Sequence, residues 1–234
     1  MKIVGIVFDY NEGNRYERLT RVWAKSIEVN CPAAEVTILK IDPPKQTKRK
    51  IGLSSNWHKF KRWVDFARDQ RDGENVILMD TDMIVLNDLR PAFNEDFDIG
   101  LTVRTKANWK YNGGVVFVKI SDATREFLRQ WGEIDERMYR DEKFHAPYSK
   151  KYKGQNQSSL GYMVEHNESL KIREFPCAIW NACNEDWIYI DDNTKVIHLK
   201  SNLRLSCLGE VTGAPSKMRR AFNEFKKYER MVVE

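Results

Sequence analysis

The sequence predicts an α/β protein in one domain, built on a mixed, mostly parallel sheet flanked by helices. Three observations point there. Lys2–Phe8 and Val76–Met79 are continuous apolar runs of strand length, the pattern of strands covered on both faces. Segments with helical spacing separate the strands of the first third, and such alternation implies parallel pairing. Two aspartates, Asp9 and Asp80, follow the apolar runs at their C-terminal ends, where open parallel sheets bind ligands.

The elements follow in order. Lys2–Phe8 reads as a first strand that leaves through Asp-Tyr-Asn. Arg15–Asn30 carries Leu19, Val22, Trp23, Ser26 and Ile27 at helical spacing and stops at Cys31-Pro32. Glu35–Ile41 alternates as a strand, and Pro43–Lys50 is a basic loop. Ser54–Gln70 places Trp57, Phe60, Val64 and Ala67 on one helical face, with Asp72-Gly73 closing it. Val76–Met79 then delivers Asp80. Asp98–Val103 and Gly114–Ile120 read as strands, and Ser121 caps a helix that runs to Tyr139. A basic, aromatic loop is expected over Phe144–Lys153. Beyond it come a helix at Asn156–His166, strands at Leu170–Phe175 and Lys195–Leu199, and a basic amphipathic helix at Ser216–Met231. No composition shift or repeat divides the chain, so 1–234 reads as a single domain.

Composition narrows the function. A chain of 234 residues can bury a sizeable core, and its net charge of +5 mildly favours anionic ligands through long-range steering. The basic clusters Lys45–Lys50, Lys150–Lys153 and Lys217–Lys227 read as solvated faces. No run nears the ~20 apolar residues of a membrane span. The N-terminus lacks the apolar length and cleavage site of a signal peptide. The four cysteines include no Cys-x-x-Cys pair and read as reduced thiols. The expected compartment is the cytoplasm. A zinc site from Cys177, Cys183, His198 and Cys207 is a minor alternative.

The segment "VILMDTDMIVLN" carries the chemistry. Two carboxylates, Asp80 and Asp82, follow an apolar run, and charges in such surroundings need partners. They could cap a turn. They could be the nucleophile and acid/base of a haloacid dehalogenase-type phosphatase; that motif usually lies on a first strand and does not continue as Met83-Ile84. Or they could hold a divalent cation that bridges the phosphates of a nucleotide-sugar, since hard cations take carboxylates plus substrate oxygens.

Four segments, in order, weigh on this choice: Phe8-Asp-Tyr-Asn with Tyr16 and Ser26; Val76–Val85 followed by Leu86; Asn112-Gly-Gly-Val-Val-Phe-Val; and His198-x-x-Ser201-x-x-Arg204. Together they resemble glycosyltransferases of the GT-A fold, particularly the glycogenin-like and bacterial galactosyltransferase-like group. The resemblance spans nearly the whole chain. It implies a single Rossmann-like GT-A domain, with a nucleotide-binding half at 1–105 and a donor-sugar and acceptor half at 106–234. It implies a nucleotide-diphospho-sugar donor, UDP-linked by first choice. Phe8, Asp9, Tyr10, Tyr16, Lys59, Asp80, Thr81 and Arg204 would meet the nucleotide, and Asn112, Gly113 and Gly114 the donor sugar. Asp80, Asp82 and His198 would hold the metal, and the imidazole favours Mn²⁺ over Mg²⁺. The stereochemistry implied is retention, and the acceptor is a glycan, protein, small molecule or, last, nucleic acid.

This sequence departs from the family's pattern in places. Ser201 replaces a glycine and Arg204 a lysine. Asn156-Gln157 stands where an Asp-Gln pair is common at the sugar's reactive face; these two are the catalytic candidates. A required carboxylate would have to come from Glu165 or Asp186. The non-enzymatic alternative is a binding module that kept the fold without turnover, with Trp57, Trp109, Trp131, Trp180 or Trp187 stacking on sugars.

Overall fold

Continuous runs of Val, Ile and Leu build the central sheet. The structure, a computed structural model, describes residues 1–8, 15–42, 51–105 and 109–233, with backbone alone at 15 and 51–54. In chain order the elements begin β1 (Lys2–Phe8), α1 (Arg15–Asn30), β2 (Glu35–Ile41), α2 (Ile51–Arg68), β3 (Asn75–Asp80) and β4 (Met83–Val85). They continue as β5 (Ile99–Val103), β6 (Tyr111–Lys119), α3 (Asp122–Arg140), α4 (Glu142–Tyr152), α5 (Asn156–Glu165) and β7 (Ile172–Pro176). The last are α6 (Cys177–Trp180), β8 (Val196–His198), α7 (Ser201–Leu208) and α8 (Arg219–Val233).

The main sheet runs in the order β2-β1-β3-β6-β5-β7, and β4 and β8 form a separate two-stranded ribbon. β1 is parallel to both β2 and β3, as the alternation predicts, and β5 is parallel to β7. β6 enters antiparallel to β3 and β5. One core lies under α2, α3 and α5, with Phe60, Trp63 and Trp131 fully buried. The opposite face packs Trp23 and Ile27 of α1 against Ile77, Met79, Val115 and Phe117. A third cluster joins the ribbon to α7 and α8 through Ile84, Ile197, Leu203 and Phe225. Tryptophans 131 and 187 belong to these cores: Trp131 is fully buried and Trp187 is 3 % exposed.

Three features position the cleft. Ser26 of α1 accepts a hydrogen bond from Val85 N at 3.0 Å while donating to Trp23 O, and Asn30 donates to Val85 O at 3.0 Å. These bonds hold β4 against α1. The β4–β8 pairing sets Met83 opposite His198, one residue beyond Asp82. Finally, β6 bulges: as β5 advances from Leu101 to Thr102, the partner steps from Val116 back to Asn112. Asn112-Gly113-Gly114 therefore lies within a strand rather than ahead of one, and its extra residues turn toward the cleft.

The expected loop over Phe144–Lys153 is instead helix α4. Asp141 caps it by accepting from Lys143 N and Phe144 N at 2.9 and 3.0 Å. Phe144 and Tyr148, four apart on one face, pack on Tyr162 of α5. Pro147 sits inside this helix; tertiary packing there outweighs the one backbone bond that proline removes.

Candidate active site and metal centre

The C-terminal ends of β1 and β3, the β6 bulge, and the start of α5 and α7 enclose a cleft of about 370 Å³. Asp80 closes β3, Asp82 sits in the bend before β4, and His198 ends β8. Leu199 N donates to Asp82 O at 2.8 Å, which locks the bend to the last strand. As a result His198 Nε2 lies 3.3 Å from Asp82 Oδ1 and 3.8 Å from Asp80 Oδ2. Among the described residues, these three are the group whose ligand atoms converge, all within 4.8 Å of one another. The minor zinc alternative is not assembled: Cys183 Sγ instead accepts from Asn112 Nδ2 at 3.3 Å.

The imidazole's other nitrogen sets its tautomer. His198 Nδ1 is 2.9 Å from Asn181 Oδ1, Asn181 Nδ2 donates to Thr102 Oγ1 at 2.8 Å, and Thr102 Oγ1 donates to Asn112 O at 2.7 Å. The terminal carbonyl only accepts, so the threonine hydroxyl must give its proton there and accept from the amide. That leaves Asn181 Oδ1 facing the ring and Nδ1 as its donor. The Nε2 lone pair then points at two carboxylate oxygens. Burial, joined by nearby Lys200, holds the His198 pKa below its ordinary value against the pull of Asp82 and Asp80. Burial also weighs against the Asp82 charge, but His198, Arg204 and Lys200 outweigh it and keep that carboxyl well below the usual carboxylate range. Two carboxylate oxygens and the Nε2 nitrogen thus converge, a donor set that fits a divalent cation.

Two side chains face the aspartates from other helices. Lys59 of α2 places Nζ 2.5 Å from Asp80 Oδ1 and 4.5 Å over the Trp63 ring. It is a cleft residue, not a solvated helical lysine. Arg204 of α7 places Nη1 3.0 Å from Asp82 Oδ2. Ser201, in the family's glycine position, adopts φ 47°, the left-handed conformation that glycine tolerates best. Gly114 lines the cleft, and a Cβ there would stand 2.6 Å from His198 Cε1 and 2.6 Å from Met83 Cε. Its lack of a side chain makes room for the imidazole. Gly113, by contrast, faces open space, with Asn156 Cβ at 4.0 Å.

The remaining expectations fall as follows. Phe8, Tyr16, Thr81, Asn112, Gly113, Asn156 and Gln157 all line the cleft. Asp9 and Tyr10 lie outside the described residues. The Thr81 hydroxyl donates to Ile6 O at 3.3 Å and is turned inward. Asn112 is engaged on both amide atoms, accepting from Gly114 N and Lys200 Nζ through Oδ1. Asn156 Oδ1 is buried and has no hydrogen-bond partner among the described residues. Neither reserve carboxylate lines the cleft: Glu165 is bonded to Lys151 and Tyr152 at the far end of α5, and Asp186 accepts from Cys183 N at 3.2 Å. Sequence reasoning missed Asn56, Lys200 and Asn181. Lys200 lies inside the His198–Arg204 segment, so its spacing alone could have flagged it.

A family model for nucleotide-diphospho-sugar transferases matches residues 25–211. The chain belongs to that family. The match takes in the Asp80/Asp82 bend, the β6 bulge and the His198–Arg204 segment, and the phosphatase alternative has no counterpart in it. Solved structures agree on the GT-A fold. The glycosyltransferase GlyE of Streptococcus pneumoniae TIGR4 superposes with a TM-score of 0.63 at 14% identity, over 99% of this chain and 62% of its own. This chain therefore spans less than two thirds of GlyE's length. A glycosyltransferase involved in glycosylation of the major capsid of PBCV-1 gives 0.64 at 12% identity, over 89% of this chain and 100% of its own. The galactosyltransferase LgtC, solved with donor and acceptor sugar analogs, gives 0.52 at 14% identity, over 94% and 99%. No curated protein sequence matches the chain. Among the described residues, no helix is long and apolar enough to cross a membrane.

Proposed function

We propose that this chain transfers a sugar from a nucleotide-diphosphate donor, UDP-linked by first choice, with a divalent cation held by Asp80, Asp82 and His198. The observation that carries the proposal is the convergence of two carboxylate oxygens and a bare imidazole nitrogen in the cleft. The bound cation would supply Lewis-acid stabilisation of the diphosphate leaving group. The soft nitrogen ligand favours Mn²⁺ over Mg²⁺.

The chain's own residues supply the rest. Lys59 and Arg204 now pair with the aspartates. With a divalent cation on those carboxylates, both side chains would turn their charge to the phosphate oxygens, Arg204 with a fork that suits them. Phe8 and Tyr16 line the cleft and would meet the nucleotide. The β6 bulge brings Gly113 backbone to the donor sugar, where open space permits close approach. Asn156 and Gln157 open α5 at the sugar end and offer amide groups rather than a carboxylate. With amides rather than a carboxylate at that point, we read the leaving phosphate as the group that would orient an acceptor on its own face, which gives retention. The acceptor is a glycan, a protein or a small molecule, with nucleic acid last. We read 1–234 as one domain, nucleotide-binding over 1–105 and sugar- and acceptor-binding over 106–234, acting in the cytoplasm.

Incubation with a panel of UDP-sugars tests this reading. Release of UDP that needs Mn²⁺ and is lost in Asp82→Asn supports transfer or its hydrolytic side reaction. Tight UDP-sugar binding without turnover over hours supports the silent-module reading instead. Phosphate release from small phosphomonoesters, lost in Asp80→Asn, would restore the phosphatase.

A further inference from the structure

Asp135 lies where α3 packs on α5. It is fully buried, as are Trp131, Gln155 and Ser159 around it. Trp131 Nε1 can only donate, and it donates to Ser159 Oγ at 2.9 Å. Ser159 Oγ gives its own proton to Asp135 Oδ1 at 2.7 Å. Gln155 Nε2 donates twice, to Asp135 O at 3.0 Å and to Asp135 Oδ2 at 3.3 Å. Gln155 Oε1 is buried and has no hydrogen-bond partner among the described residues, so the donor end alone holds this side chain. Both donors to the carboxylate belong to the entry of α5: Gln155 immediately precedes the helix, and Ser159 is its fourth residue.

A buried carboxylate is a costly way to join two helices, since an apolar pair would join them without desolvating a charge. Burial outweighs the bonds from Ser159 and Gln155 and the charge of Lys59 on α2, and pushes the Asp135 pKa up to about 6. The backbone beside it is also unfavourable. Lys153 has φ 57° and ψ 159°, and Gly154 follows with φ 59°. Glycine tolerates such a conformation; lysine pays a steric penalty there. Backbone of this kind persists where its surroundings over-determine it. Here Gly154 O accepts from Ser158 Oγ and lies 3.2 Å from His145 Nε2 of α4.

Both unfavourable features fix one point, the entry to α5. The first two residues of that helix, Asn156 and Gln157, line the cleft. The turn also lies directly against Gln157: a Cβ on Gly154 would stand 2.5 Å from Gln157 Oε1. We propose that Asp135 is a positioning residue for sugar transfer: from α3 it anchors Gln155 and Ser159, and through them holds Asn156 and Gln157 against the sugar end of the cleft. Asp135 itself does not line the cleft, so it acts through these neighbours and not on the substrate. The proposal rests on the glycosyltransferase reading and adds to it a residue outside the cleft on which the rate depends.

The test uses the full chain at pH 7.5, with UDP-glucose, UDP-galactose and UDP-N-acetylglucosamine as donors. Calorimetry gives the UDP affinity in Mn²⁺, and steady-state UDP release gives kcat and KM for the donor turned over fastest. No UDP binding, or binding without release from any donor, overturns the glycosyltransferase reading and this inference with it. In Asp135→Asn the new amide sets a donor against Gln155 Nε2. If Gln155 turns to meet it, the bond to the carbonyl of residue 135 is lost instead. Gln155→Met removes both bonds. A shift of about 1 Å at a reacting centre can lower a rate about 100-fold, so each variant should lose at least tenfold in kcat. KM and UDP affinity should stay within threefold, with one UDP bound per chain. Both substitutions act through the same bonds, so the double variant should lose no more than the larger single loss. Unchanged kcat in both single variants overturns the inference and leaves the glycosyltransferase reading standing. So do losses that multiply in the double variant, or a fall in UDP affinity as large as the fall in kcat. Where one single variant fails to fold, the other carries the same prediction alone. Failure of both to fold overturns the inference, since the network would then hold the fold and not the site.

Discussion

Replacing Asn181 with leucine removes the acceptor that holds the His198 ring in its metal-ready tautomer. Asn181 touches neither carboxylate; it acts through the 2.9 Å contact to Nδ1 and the 2.8 Å bond to Thr102. In Asn181→Leu the buried Nδ1–H loses its partner, which costs about 1–3 kcal/mol when the proton stays on that nitrogen. The ring escapes part of the cost by moving the proton to Nε2, the nitrogen that must be bare to bind a cation. Either route weakens metal binding, and partners of ligating histidines commonly contribute about 10–100-fold in affinity. That range equals about 1.4–2.8 kcal/mol, consistent with the lost hydrogen bond. The assay is a Mn²⁺ titration followed by the electron paramagnetic resonance of the free ion, paired with ¹⁵N correlation spectra that report the His198 tautomer in the metal-free protein. Asn181→Asp keeps an acceptor and should keep wild-type affinity or exceed it. Wild-type Mn²⁺ affinity in Asn181→Leu, or an Nε2–H tautomer in the unsubstituted protein, would refute the reasoning.

Gly114→Ala should weaken Mn²⁺ binding and cost about 1–3 kcal/mol in stability, because the added methyl meets His198 and Met83 at 2.6 Å each. Gly113→Ala, with its nearest neighbour at 4.0 Å, should leave the metal affinity unchanged; the same Mn²⁺ titration and a urea melt check both. Asp135 makes the fold pH-sensitive. It is fully buried against Ser159 and Gln155, and burial pushes its pKa from 3.8 up to about 6. The folded state therefore holds this proton more tightly than the unfolded chain. Its stabilising contribution is full below pH 3.8 and is lost as pH rises through about 6. The loss amounts to about 3 kcal/mol. Asp135→Asn should flatten that part of the profile in urea melts between pH 4 and 8; an unchanged slope would show the carboxyl titrating normally.

The first half of the fold was legible in the sequence because burial there repeats a simple pattern. Arg15–Asn30 and Glu35–Ile41 match the expected bounds, since helical spacing and strand alternation are both readable from short stretches of sequence. Asp80, Asp82 and His198 could be grouped because their segments resemble the family's Asp-x-Asp and His-x-x-Gly-x-x-Lys motifs; in the structure the antiparallel β4–β8 ribbon brings them together. What escaped notice depends on contacts across the fold. β4 has three residues and exists through pairing with β8 and bonds from Ser26 and Asn30. α4 contains Pro147 and a lysine cluster, yet its aromatic face packs on Tyr162. Gly114 follows the expected motif, and its lack of a Cβ also leaves room for the His198 ring. Asn181 carries no local motif; it is defined by its bond to a histidine.

Calorimetric titration of UDP into the full chain, with and without Mn²⁺, tests the central claim most directly. The account predicts UDP binding at least tenfold tighter with Mn²⁺, and loss of that enhancement in Asp82→Asn and in His198→Leu. Equal UDP affinity with and without Mn²⁺, or an enhancement that persists in both variants, would contradict a metal centre at Asp80, Asp82 and His198.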